Sequence, residues 1–213
     1  MGDDRSLAFR FVPLFNILVI ISLAFAFSAN TSPPQTEGLE KASPLHSIAT
    51  RLNGKGIPNF GKVTANFYRG GQPAADGLVT LKNLGVEVVI DLRGSASDTE
   101  QAAVTKLGMQ YISIPSHCPF PSDKPWATFL KVMRENRDKK VFVHCRLGDD
   151  RTGLAVATYR ISEEHWSVKE TRHEMRVFGF TGVHHVICMG MDEYVKGFPE
   201  RLKSNPEFRD LQK

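Results

Sequence analysis

The 213-residue chain contains only three cysteines, and no two of them form a Cys-x-x-Cys pair. This scarcity indicates neither a disulfide framework nor a zinc site. Because three is an odd number, at least one thiol must stay free or pair with another chain. The cysteines are Cys118, Cys145 and Cys188, and a free thiol among them is compatible with a nucleophile.

The chain also lacks a strong excess of charge of one sign, since 27 Lys and Arg stand against 23 Asp and Glu, for a formal net charge of +4. No dense Lys/Arg stripe with interleaved aromatic residues is present, so we do not expect a nucleic-acid partner. The mild positive balance permits an anionic substrate. Adjacent His184 and His185 would point about 100° apart on a helix, so we expect no metal at this pair, and no cofactor is indicated elsewhere.

A single long apolar run covers residues 11–27, between Arg5 and Arg10 on one side and a series of small residues on the other. This order predicts a signal peptide over residues 1–29 and a secreted, periplasmic or otherwise extracytoplasmic protein. The alternative is an uncleaved N-terminal helix that attaches the protein to a membrane, because the run reaches the lower length limit of a membrane span.

The rest of the chain divides by composition. Residues 30–58 are rich in Ser, Thr, Pro and Gly without a persistent period, which predicts a linker or lead-in. Over residues 59–213, strand-like segments such as "VEVVIDL" and "KVFVHC" alternate with helical segments such as "WATFLKVMREN". This alternation predicts one α/β domain with a central, mainly parallel sheet flanked by helices, whose ligand site lies beyond the carboxyl ends of the strands.

The segment "HCRLGDDRTG" follows one of these strands and precedes an apolar helix. Successive backbone amides and the helix start can bind an anion and stabilise a thiolate at Cys145. The planar guanidinium of Arg151 can hold two oxygens of a phosphoryl group. Gly148 lets the chain turn where a side chain would crowd the ligand. We expect the Thr152 hydroxyl to hydrogen-bond the Cys145 sulfur, and His144 to orient the loop.

We call residues 145–151 the cysteine loop. All its positions after the cysteine are candidate substrate-binding residues: Arg146, Leu147, Gly148, Asp149, Asp150 and Arg151.

The spacing His-Cys-x5-Arg-Thr-Gly resembles the signature of the cysteine-dependent protein tyrosine and dual-specificity phosphatases. The upstream segments "FYRGGQP" and "VVIDLRG" look like those of the small bacterial and plant-type dual-specificity branch. The resemblance implies hydrolysis of a phosphomonoester through a cysteinyl-phosphate. It implies that Cys145 is the nucleophile, that Arg151 stabilises the transition state, and that no metal is required.

A general acid must protonate the leaving oxygen, and in this family it is commonly an aspartate about thirty residues before the cysteine. That position falls in "SIPSHCPF", residues 113–120, which contains no aspartate. Three candidates remain open. Asp150 occupies a position that carries the acid in myotubularin-type relatives, although it could also be a helix-start carboxylate. Asp123 lies in the same proline-rich stretch, and Asp91 ends an earlier strand, where Arg93 or Arg69 could instead be its ion-pair partner.

Two other residues of the proline-rich stretch have hypothetical roles. His117 is a candidate substrate contact. Cys118 lies in the stretch where the acid is usually found, and the hypothesis is that it forms a disulfide with Cys145, which would protect the nucleophile from overoxidation.

We therefore expect a protein tyrosine or dual-specificity phosphatase, acting on a phosphorylated protein or a small phosphomonoester. Asp149 and Asp150 would repel a highly charged substrate unless Arg146 and Lys124 offset them. A phosphoinositide or inositol phosphate phosphatase is the second expectation. A catalytically weak phosphate-binding module is the alternative of another class.

Overall fold

The computed structural model describes residues 46–182 and 186–211. The segment predicted to be a signal peptide or membrane anchor lies outside these residues, as do His184 and His185. Within the described part of the chain, none of the helices combines the length and the apolar character that crossing a membrane requires.

Six strands form one sheet in the order β1-β2-β3-β6-β4-β5. They are β1 (Thr50–Arg51), β2 (Gly61–Lys62), β3 (Phe67–Gly70), β4 (Val88–Asp91), β5 (Gln110–Ser113) and β6 (Val141–His144). The pairs β3/β6, β6/β4 and β4/β5 are parallel, whereas β1, β2 and β3 pair antiparallel. The prediction of a mainly parallel central sheet is confirmed.

Helices cover both faces of this sheet. They are α1 (Ala75–Asn83), α2 (Asp98–Lys106), α3 (Asp123–Glu135), α4 (Asp150–Glu163), α5 (Val168–Val177) and α6 (Met189–Ser204), followed by a 3₁₀ helix (Pro206–Leu211). Helix α3 begins at Asp123, three residues before the predicted helical segment, which starts at Trp126. Pro125 lies in the first turn of this helix, where the missing backbone N–H of a proline costs nothing.

The central strand β6 shows how the sequence produces the two layers. Successive side chains of a strand point to opposite faces. Val141 and Val143 accordingly join the core beneath α3, α4 and α6, and Phe142 joins the core beneath α1 and α2. All three side chains are buried, which explains why this strand is a continuous apolar run rather than an alternating one.

The folded domain begins before Asn59, where the sequence composition places its start. Ala49 and Ile57 are buried, and Thr50 and Arg51 pair with β2. The Ala49 amide also donates to a Glu174 carboxylate oxygen at 2.6 Å. Residues 46–58 therefore pack as part of the domain, because long-range contacts hold a segment that has no local period of its own.

Candidate active site

The cysteine loop begins where the central strand β6 ends. Cys145 follows His144 directly at the carboxyl edge of the parallel strands, and its side chain is buried. The Gly148 amide donates to the Cys145 sulfur at 3.3 Å. Helix α4 starts at Asp150, so the positive end of its dipole faces the same loop. The sulfur thus receives a backbone donor of its own loop and lies near the start of α4.

Gly148 is required by close packing. Its φ is +84°, and a Cβ at this position would lie 2.4 Å from the Gly71 nitrogen and 2.5 Å from the Gly70 carbonyl carbon. No side chain fits in that space. The turn of the cysteine loop is therefore fixed against the Gly70–Gly71 pair that follows β3.

Two side chains, the buried Arg69 and the half-buried Asn59, set the orientation of the Gly148 peptide. Its carbonyl accepts hydrogen bonds from Arg69 Nη2 at 2.8 Å and from Asn59 Nδ2 at 2.9 Å. The peptide is trans, so its N–H, which belongs to Asp149, points the opposite way. The Asp149 amide consequently faces the interior of the loop.

A second peptide of the loop is oriented in the same manner. The Arg146 carbonyl accepts from the Gln72 amide at 3.1 Å, which turns the Leu147 N–H toward the interior. The Cys145 carbonyl lies 3.2 Å from His144 Nδ1. Carbonyls held on the outside and amides turned to the inside produce a concave set of donors suited to an anion.

Arg69 places a positive charge beneath the loop. Its side chain is fully buried, with the guanidinium carbon 4.0 Å from the centre of the Phe178 ring. Burial lowers the pKa of Arg69 to about 10, and the charges of Glu174 and Cys145 oppose that change. Arg69 therefore remains a cation at neutral pH, close to the buried thiol.

His144 connects the loop to a buried polar network. Its Nε2 lies 2.9 Å from Glu100 Oε1, at an angle outside that of a good hydrogen bond. The other Glu100 oxygen pairs with Arg93 at 2.6 Å and accepts from Gln72 Nε2 at 3.3 Å. His144 thus orients the loop from its buried side, with Glu100 of α2 as its support.

Asp91 belongs to this network and is held as a carboxylate. It accepts from the backbone and side chain of Arg93 and from the Tyr111 hydroxyl at 2.7 Å. Burial raises the pKa of Asp91, but the Arg93 hydrogen bonds, the charge of His144 and the Tyr111 hydrogen bond outweigh it and leave the pKa below its ordinary value. Asp91 is therefore a poor proton donor, and Arg93 rather than Arg69 is its partner.

Asp123 is engaged on a different element. It starts α3 and accepts from the Tyr194 hydroxyl at 2.7 Å and from Asn205 Nδ2 at 2.6 Å. Arg201 forms an ion pair with it at 3.1 Å. These three partners tie α3 to the C-terminal helices, which gives this carboxylate a structural role.

Asp150 is the candidate acid that lies in the cysteine loop itself. It is half-buried at the first turn of α4, and its Oδ2 lies 3.3 Å from the Cys188 sulfur. Neighbouring Asp149 is the N-cap of α4, because its carboxylate accepts from the Asp150 amide at 2.8 Å. Asp149 therefore has a local structural function that leaves Asp150 as the acid candidate beside the loop.

Arg151 and Thr152 end the loop on α4. Among residues 46–182 and 186–211, no side chain or carbonyl pairs with the Arg151 guanidinium, so its donors are available to a ligand. The Thr152 hydroxyl donates to the Gly70 carbonyl at 3.3 Å. The expectation that it would bond the Cys145 sulfur is wrong, because the hydroxyl is turned toward β3.

The cysteines also differ from expectation. Cys118 forms a disulfide with Cys188, and Cys145 is free. The hypothesis of a Cys118–Cys145 disulfide is therefore wrong. Spacing along the chain could not reveal the true partner, because the bond joins positions 70 residues apart. His117, the candidate substrate contact, is exposed next to Cys118.

Sequence reasoning missed three residues that orient the loop: Asn59, Arg69 and Gln72. The last two lie in "FYRGGQP", for which the sequence indicates a family resemblance and an alternative pairing of Arg69 with Asp91, but no contact with the loop. Asn59 has φ of +50°, a conformation in which Asn is enriched, but that is not visible in a sequence.

Because a buried thiol at the end of a central parallel strand meets loop amides and the start of α4, the fold and the site are those of the cysteine-dependent phosphatase class. A family model described as "DSP-PTPase phosphatase fused to NAD+ Kinase" matches residues 52–187, well over half of the chain. The chain belongs to this DSP-PTPase family.

Individual relatives agree with this assignment. The dual specificity protein phosphatase TpbA of Pseudomonas aeruginosa (strain UCBPP-PA14) is 29% identical over 126 residues, which cover 57% of this chain and 55% of that protein. The chain thus spans about half the length of this curated relative.

Solved structures show the same fold. The crystal structure of P. aeruginosa TpbA has a TM-score of 0.60 at 26% identity, covering 73% of this chain and 91% of the other. The core catalytic domain of the PP-IP phosphatase SIW14 from S. cerevisiae has a TM-score of 0.57 at 15% identity, covering 75% and 98%. At 15% identity the latter likeness concerns the fold alone.

Proposed function

We propose that this protein hydrolyses phosphomonoesters through a cysteinyl-phosphate, with phosphotyrosine in a protein or peptide as its preferred substrate. The observation that carries the proposal is the cysteine loop: the buried, free Cys145 receives the Gly148 amide at 3.3 Å, and no side chain or carbonyl of the described residues pairs with the Arg151 guanidinium. The family membership and the likeness to TpbA support the same reaction.

In the first step the Cys145 thiolate attacks phosphorus. An S–P bond forms, the P–O bond to the leaving group breaks, and Asp150 gives its proton to the departing oxygen. The inward amides of Leu147 and Asp149 and the guanidinium of Arg151 stabilise the negative charge on the equatorial oxygens. These donors are held in advance, so little reorganisation is required.

In the second step water attacks the cysteinyl-phosphate. Asp150, now a carboxylate, accepts a proton from the attacking water, the S–P bond breaks, and inorganic phosphate leaves with Cys145 restored as a thiolate. The step uses the same donors as the first. It requires no group beyond the residues of the loop.

The surface near the loop supports an aryl substrate. Five of the seven large hydrophobic side chains exposed among the described residues lie in the loop or in the two segments joined by the disulfide: Phe120, Leu147, Val186, Ile187 and Met189. Leu147 is 51% exposed and Phe120 is 88% exposed. Apolar surface of this kind suits a phenyl ring with its flanking peptide.

Hydrolysis of a highly charged substrate is the second candidate function, because the core of the PP-IP phosphatase SIW14 shares the fold. Within the loop, however, Arg146 is the one cation besides Arg151, and two aspartates accompany it. The neighbouring phosphates of an inositol polyphosphate would meet those carboxylates. The charge balance therefore favours a monoester of modest charge.

We also propose that the mature domain works outside the cytoplasm. Two observations support this location: the order of charged, apolar and small residues over residues 1–29, and the Cys118–Cys188 disulfide, since disulfides persist in oxidising compartments. Attachment to a membrane by an uncleaved N-terminal segment is the alternative form of the same proposal. Fractionation of cells that express the full chain distinguishes the two.

The test of the enzymatic proposal is phosphate release from a panel of substrates. We expect turnover of an aryl phosphate and of phosphotyrosyl peptides, slower turnover of phosphothreonyl peptides, and little of inositol polyphosphates. The Cys145→Ser variant should turn over none of these substrates, but it should still bind phosphate as the wild type does. Inositol polyphosphates hydrolysed faster than phosphotyrosyl peptides would reverse the substrate assignment, and phosphate binding without turnover in the wild type would indicate a binding module.

A further inference from the structure

We propose that the Cys118–Cys188 disulfide positions Asp150 as the general acid, so that its reduction slows protonation of the leaving group. The inference rests on the proposed phosphatase function. It assigns Cys188 a positioning role that the sequence alone does not indicate, and it makes the reaction sensitive to thiols at a site other than the nucleophile.

The first observation is a covalent connection close to the reacting carboxylate. The disulfide joins the segment before α3 to the residue that precedes α6, with the two Cα atoms 5.1 Å apart. The Cys188 sulfur lies 3.3 Å from Asp150 Oδ2. The bond therefore reaches both elements that flank the start of α4, and one of its sulfur atoms touches the proposed acid.

A second, independent observation shows that the same two segments are fitted to each other. A Cβ on Gly190 would lie 2.2 Å from the Pro119 carbonyl oxygen and 3.2 Å from Pro121 Cδ. Backbone meets backbone at this point, so the contact depends on a glycine. The disulfide thus fastens a close-packed interface rather than two loose loops.

The chemistry at Asp150 changes when the disulfide is reduced. In the disulfide, Cys188 has no proton, and its sulfur presents a polarisable, weakly accepting surface to the carboxyl group. As a thiol, Cys188 can donate S–H to Asp150, and a hydrogen bond to the carboxylate favours its ionised form. An ionised Asp150 cannot protonate a leaving oxygen.

The redox step is an ordinary exchange with a dithiol reductant. The dithiol loses two electrons and two protons and becomes a disulfide, while the Cys118–Cys188 bond breaks and two thiols form. Cys145 takes no part in this exchange and stays reduced. The effect is therefore distinct from oxidation of the nucleophile.

Two single variants separate the loss of the bond from the gain of a donor. Cys118→Ser breaks the bond and leaves a thiol at Cys188, whereas Cys188→Ala breaks the bond and leaves no donor beside Asp150. Turnover is measured with an alkyl phosphate, which needs the acid, and with an aryl phosphate of an acidic phenol, which hardly does. Thermal unfolding of each variant monitors the fold.

We expect Cys118→Ser to lower kcat for the alkyl phosphate by about tenfold, part of the full contribution of a general acid, with little change for the aryl phosphate. In Cys188→Ala, kcat for the alkyl phosphate should fall less than in Cys118→Ser. Treating the wild type with a dithiol should reproduce the Cys118→Ser result even if a variant folds poorly. In an Asp150→Asn background, neither reduction nor Cys118→Ser should lower kcat further.

Equal losses with both substrates, or a loss that persists in the Asp150→Asn background, would overturn the inference in favour of a purely structural bond. Unchanged turnover after reduction would overturn it as well. If Asp150→Asn itself affects both substrates alike, then the acid assignment fails, and if the wild type is inactive, then the proposed function fails. The failure of the inference, of the acid assignment and of the proposed function can therefore be distinguished by these measurements.

Discussion

The two sides of the cysteine loop are built differently. Its base, formed by Asn59, Arg69 and Gln72, is made of hydrogen bonds to loop carbonyls, and the cation among these residues is fully buried. Its rim, represented by Phe120, Leu147 and Ile187, is exposed and apolar. The base orients donors for the phosphoryl group, which all phosphomonoesters share. The rim is placed to contact the part of the substrate that differs from one ester to another.

This contrast separates two kinds of effect. Changes in the base should lower kcat for every substrate, because they disturb amides that act on the transition state. Changes in the rim should alter KM for substrates with apolar groups next to the phosphate. Asp150 starts α4 and contacts the Cys188 sulfur, and its effect should depend on the leaving group.

The largest effect is expected at Asp150. Asp150→Asn should lower kcat for an alkyl phosphate by about 10²–10⁴-fold, because the leaving oxygen departs without its proton, and should change aryl phosphate turnover far less. Steady-state kinetics with both substrates measures the difference. Asp123→Asn is the matched control, since it removes the ion pair with Arg201 and should reduce stability without any dependence on the leaving group.

A change in the base should come next. Arg69→Met keeps much of the side-chain volume but removes the donor to the Gly148 carbonyl and the buried charge, so we expect kcat to fall by about 10²-fold for all substrates. Arg51→Met is the control, because Arg51 also lies 4.7 Å from the Phe178 ring but donates to Asn59 Oδ1 and the Val177 carbonyl rather than to a loop carbonyl. Equal kinetics for the two variants would contradict the role given to Arg69.

A change in the buried polar network of Asp91, Arg93 and Glu100 should lower the stability of the folded protein. Asp91→Asn breaks a buried pair with Arg93 and should lower the free energy of unfolding by about 3 kcal/mol at neutral pH. The pKa of Asp91 is depressed in the folded state, so its contribution is present above the ordinary value of about 3.9 and is lost as the pH falls through the folded value.

The difference in stability between wild type and Asp91→Asn should therefore shrink as the pH falls below about 4. Urea unfolding at neutral and acidic pH measures it. A difference that stays constant across this range would mean that Asp91 contributes by packing and hydrogen bonding alone.

The smallest effect is expected at the rim. Phe120→Ser should raise KM for a phosphotyrosyl peptide with apolar neighbours by about fivefold, as partial loss of one apolar contact implies, and leave kcat unchanged. Val79→Ser on α1 is the control, because it also replaces an exposed apolar side chain but lies outside the rim. An unchanged KM for Phe120→Ser, or a fall in kcat, would show that the rim does not select the substrate.

The comparison of base and rim also explains what the sequence could reveal. The central strands and the cysteine loop follow local patterns, such as the apolar run before Cys145 and the spacing to Arg151, and these were predictable. Asn59 was not, because it reaches Gly148 from 89 positions away. Strands β1 and β2 have two residues each, too few for any periodicity.

The choice among the three aspartates had the same limitation. Asp91 and Asp123 carry the same chemical group as Asp150, and only their partners distinguish them. Arg93 is two residues from Asp91 and could be named from the sequence, whereas Tyr194 and Arg201 lie more than seventy positions from Asp123. The disulfide partner of Cys118 was hidden for the same reason.

The central claim is that Cys145 carries the phosphoryl group during turnover. The most direct test is an acid quench of the wild-type protein during hydrolysis of an aryl phosphate, followed by mass spectrometry of its peptides. The account predicts one phosphate on the peptide that contains Cys145 and none on the same peptide from Cys145→Ser, which should also be inactive. A phosphate on another residue, or turnover retained by Cys145→Ser, would contradict it.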